Sequence, residues 1–220
     1  MEPCASYHYF LRHVAHRLGH HPAPPRSVGL LFCLPESAIA TAEILPALGY
    51  YHLRSGRHID FYFAGYTNER PQSGELDLYR QPQSAHRRFP WWFSDRLFDE
   101  FRREVEKQTS WRYSGGTDLI LTQARPRYHY QADLDYRNAI VIVLEELQQS
   151  ATGMTAGMLF ERIFRAAEQD SQSPIGDFSD NEGLRLGRSA LWSLVLSVLP
   201  ESLRSDASQA RHFAVRNIGT

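Results

Sequence analysis

Lysine is nearly missing from this sequence: Lys107 is the only one, and the other 23 basic side chains are arginine. A GC-rich bacterial genome accounts for the skew, which leaves the chain with the cation that pairs bidentately and stacks on aromatic rings. Cysteine is scarce as well. Cys4 and Cys33 supply neither a disulfide framework nor a cysteine-based zinc site, and Cys33, inside an apolar run, reads as a buried, inert thiol. Excess charge of either sign is absent. At a formal net charge of −1, no global field draws the chain toward nucleic acid or anionic lipid. Long hydrophobic runs are absent too: SALWSLVLSVL (189–199) is too short to span a bilayer, and MEPCASYHYF at the N-terminus has no apolar signal core. The expectation is a soluble, cytoplasmic protein with no membrane contact, no cofactor and no resident metal.

What is present is an ordinary globular composition, 42% hydrophobic and 22% charged in 220 residues, enough to bury a full core. Tyr7, Leu11, Val14 and Leu18 recur at heptad-like spacing and predict a helix near 5–19, stopped by HPAPPR. VGLLFCL (28–34) is apolar throughout, as in a strand covered on both faces. Pro35 and Glu36 suit the first turn of a helix running to about Leu48. Residues 55–66, SGRHIDFYFAGY, follow as a second strand. Ser94 predicts an N-cap for a helix with Leu97, Phe98, Phe101 and Val105 on one face. Strands are expected at 114–124 and 138–147, and helices at 154–169 and 184–199. Three regions result: 1–24, an N-terminal helix and proline linker; 25–170, an α/β core with a long loop at 65–90; and 171–220, a C-terminal helix and polar tail.

By element order alone, residues 28–169 resemble the thioredoxin-like arrangement, βαβ then αββα. The resemblance implies a central mixed sheet with flanking helices, here carrying N- and C-terminal helical extensions. It transfers no disulfide chemistry. CLPE (33–36) has no second cysteine, and SGGTDL (114–119) lacks the proline that family keeps before its strand.

Candidate sites each have an ordinary alternative. Alternation sends Ile59, Phe61 and Phe63 to one face of the second strand and His58, Asp60 and Tyr62 to the other. Asp60 would then orient His58, and with Arg57 and Tyr66 nearby the set Arg57, His58, Asp60, Tyr62 and Tyr66 reads as a ligand-binding face for an anionic or planar group. The alternative is a local Asp–His hydrogen bond on a half-exposed strand. His13, His16 and His20 share a helix face, but a structural zinc site needs a fourth ligand, so a solvated histidine face is the simpler reading. Asp118, Glu145 and Glu146 lie at strand ends, where capping and solvation account for them. RRFPWWF (87–93) is the most unusual composition in the chain. Phe89, Trp91 and Trp92 read equally as interface anchors or as core, with single-stranded nucleic acid disfavoured by the missing basic excess.

No complete catalytic constellation is legible. The expected role is a non-catalytic adaptor, sensor or assembly subunit of a bacterial multi-protein system, binding a protein partner, another copy of itself or a small anion. Phage-defence operons hold many such small α/β subunits. The rival is a metal-dependent hydrolase or nuclease using Asp60 and His58 with the strand-end carboxylates.

Overall fold

The computed structural model describes residues 1–19, 25–56, 58–72, 74–82, 90–127, 131–150, 153–172, 214–216 and 218–219. The fold is α/β, a mixed sheet with helices on both faces. Its strands are β1 (Glu2–Cys4), β2 (Arg26–Cys33), β3 (Ile59–Ala64), β6 (Thr117–Arg127), β7 (Gln131–Leu134), β8 (Ile140–Val143) and β9 (Ala214–Arg216), and a separate ladder joins β4 (Tyr66–Thr67) to β5 (Trp92–Phe93). The helices are α1 (Tyr7–Leu18), α2 (Leu48–Arg54), α3 (Asp95–Gln108), α4 (Leu144–Ser150) and α5 (Ala156–Gln172).

Across the sheet the order is β1-β3-β2-β6-β8-β9. β3 runs parallel to both β1 and β2, while β6 lies antiparallel to β2 and β8. A βαβ unit, β2–α2–β3, is present, while three strands, β6, β7 and β8, lie between α3 and α4 where two are expected. β3 and β2 are interior strands, and β3 is buried along its whole length, as a parallel strand covered on both faces must be. On one face Phe10 of α1 meets Tyr62 at 4.9 Å between centroids, and Phe101 of α3 meets Phe32 at 5.6 Å. On the other, Phe160 and Phe164 of α5 pack on Phe61 at 5.6 and 5.1 Å. Each such fully buried ring contributes about 1.5–3 kcal/mol, with roughly 0.5–1.5 more for a well-angled pair.

Local chemistry sets the helix ends. The Ser6 hydroxyl accepts from Tyr9 N at 3.2 Å and opens α1, and Ser94 does the same for α3 through Leu97 N at 3.5 Å. The buried stripe of α1 is Phe10, Val14, Ala15 and Leu18, rotated from the expected Tyr7–Leu11 line, so those two lie half-buried at its edge.

Several boundaries differ from expectation. Residues 2–4 form an edge strand of the sheet and α1 covers its face, so the N-terminal region belongs to the core instead of preceding it. The helix expected from Pro35 is divided, with a π-helical turn at Ala40–Ile44 before α2. The run 138–147 changes from strand to helix at Leu144. Residues 214–216 of the supposed polar tail pair with β8. The helix expected at 184–199 lies outside the described residues. The 65–90 loop is pinned where it is described: Arg80 and Phe93 exchange backbone hydrogen bonds at 2.9 and 2.8 Å, and the Arg80 guanidinium lies over the Phe93 ring at 5.0 Å.

Gly65 ends β3 at φ 81°, and a Cβ there would lie 2.6 Å from Phe98 Cβ and 3.0 Å from Phe98 Cα. Backbone strain and collision with α3 both oppose a side chain. Gly65→Ala is expected to lower stability by about 2–4 kcal/mol, read from the denaturant midpoint. A change below about 0.5 kcal/mol, the ordinary surface range, would show that α3 moves freely relative to β3.

Candidate functional site

The face of β3 that carries Asp60 and Tyr62 is covered by α1. Asp60 is 1% exposed. Arg17 of α1 donates to its Oδ1 at 3.1 Å, Arg26 of β2 donates to Oδ1 at 3.3 Å, and the Arg26 Nε also bonds Oδ2. Both guanidinium groups donate as well to the Gly56 carbonyl. Tyr62 is 1% exposed, and its hydroxyl meets His13 Nδ1 at 3.0 Å. Burial lowers the His13 pKa and raises that of Tyr62, which favours a neutral pair. Of the five residues expected on a ligand-facing surface, Asp60 and Tyr62 are thus joined to α1. Tyr66 is buried, stacked on Phe63 at 4.0 Å, with its hydroxyl donating to the Cys33 carbonyl at 3.4 Å. His58 is partly exposed, and Arg57 lies outside the described residues. The alternation was read correctly, but the second face is enclosed where an open one was expected.

Polar chemistry also gathers where β2 ends and β6 begins. The Cys33 thiol lies 3.1 Å from the hydroxyls of both Ser37 and Thr117. Burial pushes its pKa up to about 11, with those hydroxyls opposing the rise. Beside it, Asp118 Oδ2 accepts from Trp111 Nε1 at 2.9 Å and Ser114 N at 3.1 Å, and Oδ1 accepts from the Ser114 hydroxyl. Burial raises the Asp118 pKa despite these bonds. Glu145 Oε2 accepts from Thr117 N at 2.8 Å, while Glu146 is exposed. Asp60 pairs in register with Val28 and Asp118 with Phe32. Four strand residues, about 13 Å, therefore separate them along the sheet. Asp60 is thus apart from Asp118 and Glu145, and no group of three metal-ligating side chains occurs among the described residues.

Of the expected interface anchors, Trp91 is 3% exposed and packs against Phe63 and Tyr66 of its own chain. It is core, because the β4–β5 ladder folds the aromatic run back over β3. Trp92 is half-buried, and its indole N–H is enclosed with no hydrogen-bond partner among the described residues. Phe89 lies outside them.

Among the described residues a cleft of about 630 Å³ opens between α1 and the β6–β7 hairpin, lined by Tyr7, Leu11, Arg12, Leu134, Tyr136 and Arg137 among others. At its floor the hydroxyls of Tyr7 and Tyr136 meet at 3.2 Å, and Tyr7 donates on to Gln108 Oε1 at 3.2 Å. Four separate segments compose it, so no single stretch of sequence announces it. The one local signal is the i, i+4 placement of Tyr7 with Leu11 and of His8 with Arg12 on a single helical side.

No family model, curated protein or solved structure matches the chain. No described helix is long and apolar enough to cross a membrane.

Asp60→Asn leaves two guanidinium groups facing a neutral amide, so stability is expected to fall by roughly 2–4 kcal/mol. A thermal melt that barely moves would show that the arginines do not need the charge. Both cysteines are fully buried, and burial raises the Cys4 pKa further than that of Cys33. The thiolate is the reactive form. Neither thiol is expected to react with a disulfide reagent at pH 8 until denaturant is added; rapid labelling of the native protein would contradict the enclosure.

Proposed function

We propose that this chain is a non-catalytic adaptor, sensor or assembly subunit of a bacterial multi-protein system. In this reading it works in the cytoplasm on a thioredoxin-like core and binds a protein partner or an anionic ligand. The observation that carries the reading is the internal use of the candidate catalytic groups. Asp60 is held by Arg17 and Arg26, Asp118 by Ser114 and Trp111, and the Cys33 thiol lies between Ser37 and Thr117. A group with its hydrogen bonds satisfied inside the fold supports structure, whereas a general acid or base needs reach to a substrate. The solvent-facing chemistry lies instead in the cleft beside α1, which has the size of a ligand site.

Native mass spectrometry of the protein isolated from its own host tests the reading. A stoichiometric protein partner or a bound anion is the expected result. A tightly held metal ion that disappears in Asp60→Ala, together with hydrolysis that depends on that metal, would favour the hydrolase reading and overturn this one.

A further inference from the structure

We infer that the cleft between α1 and the β6–β7 hairpin is a binding site for a small organic phosphate, with Arg12 and Arg137 as the cations that hold it. The inference deepens the binding reading above and rests on it.

The charge arrangement is the first support. Several arginines elsewhere in the fold meet carboxylates: Arg17 and Arg26 meet Asp60, Arg54 meets Glu161, Arg80 meets Glu36 and Asp95, and Arg102 meets Asp99 and Glu106, whereas Arg112 donates to backbone carbonyls and the buried Arg125 Nε has no hydrogen-bond partner among the described residues. Three arginines, Arg12, Arg127 and Arg137, line the cleft against two acids. Asp133 pairs with Arg127 at 3.2 Å, and Asp135 Oδ2 accepts from Asn138 Nδ2 at 2.7 Å. Arg12 and Arg137 are exposed, line the same cleft, and have no hydrogen bond or ion pair among the described residues. Two like charges beside one concavity repel, and a multiply charged anion between them reverses the sign of that interaction. The planar guanidinium fork matches phosphate oxygens two at a time, and His8 on the α1 side adds a third donor.

The walls supply the second support. Leu11, Ala132 and Leu134, with the rings of Tyr7 and Tyr136, offer apolar area that an inorganic ion would leave unused. The cleft volume of about 630 Å³ falls within the roughly 300–1,000 Å³ of small-molecule sites. The tyrosine hydroxyls are already chained to Gln108, which fixes the floor before a ligand arrives. An organic group against the floor with its phosphate at the arginine rim satisfies both halves.

Isothermal titration of the full chain with adenosine monophosphate, pyrophosphate and citrate tests this. Saturable binding of the nucleotide is expected, weakened about tenfold by either Arg12→Gln or Arg137→Gln and abolished by both together. Arg96→Gln, on the exposed side of α3, is expected to bind as the parent does, and circular dichroism confirms that each variant is folded. Binding that either cleft variant leaves unchanged would overturn the assignment. So would citrate or pyrophosphate binding more tightly than the nucleotide, or no saturable binding of the nucleotide up to about 1 mM, the scale of barely specific contact. A stoichiometric protein partner in native mass spectrometry beside a silent titration would remove the phosphate site and leave the adaptor reading standing.

Discussion

A carboxylate enters a protein interior only where cations and donors meet it, because an uncompensated buried charge costs several kcal/mol. Asp60 meets that condition through Arg17 from the last turn of α1 and Arg26 from the start of β2. The pairing joins a helix and two strands at one end of the sheet. It fixes how α1 lies across β3, and hence where Phe10 reaches Tyr62 and where Tyr7 reaches Tyr136. The helix side that forms the cleft wall is set by the same constraint. The position of Arg12 on the surface of α1 thus depends on the Arg17–Asp60 ion pair, about one and a half turns further along the helix.

The opposite end of the sheet is closed by neutral groups. Cys33, Ser37 and Thr117 share hydrogen bonds, and Asp118 is received by an indole, a hydroxyl and a backbone amide. Strand ends in α/β folds commonly present side chains to ligands. Here Tyr66 and Trp91 lie over Phe63, and the aromatic β4–β5 ladder closes that side. Concavity is left at the flank, where a hairpin stands beyond the β2–β3 pair.

Elements that depend on their own side chains were legible in the sequence. Ser94 announced α3, the run 28–34 announced a doubly covered strand, and the alternation through Ile59, Phe61 and Phe63 announced β3. What covers a strand was not, because covering is a property of two segments. The polar residues of β3 looked solvent-facing until α1, some forty positions earlier, supplied Arg17, His13 and Phe10. Trp91 was ambiguous for the same reason: an aromatic suited to an interface is equally suited to a core, and only the fold of β4 onto β5 decides. The strand at 2–4 is three residues long, too short for periodicity to register. The cleft draws on segments more than a hundred residues apart, and no local pattern marks Arg12 and Arg137 as arginines that fold beside one concavity.

The return strand of the long hairpin is interrupted. β7 pairs with Ala124–Arg127 and β8 with Asp118–Leu121, both along the same edge of β6, and a 3-10 turn at Tyr136–Asn138 separates them. Asn138 and the Thr122 hydroxyl, which donates to the Asp135 carbonyl at 2.9 Å, hold that turn. Because the turn absorbs the change of path, the register of β8 is set by its own pairs and does not propagate from β7. The pairing of β8 is therefore independent of the outer half of the hairpin. A change of length beyond Ala124 and Leu134 would alter one wall of the cleft while β8 keeps its pairing with Asp118–Leu121.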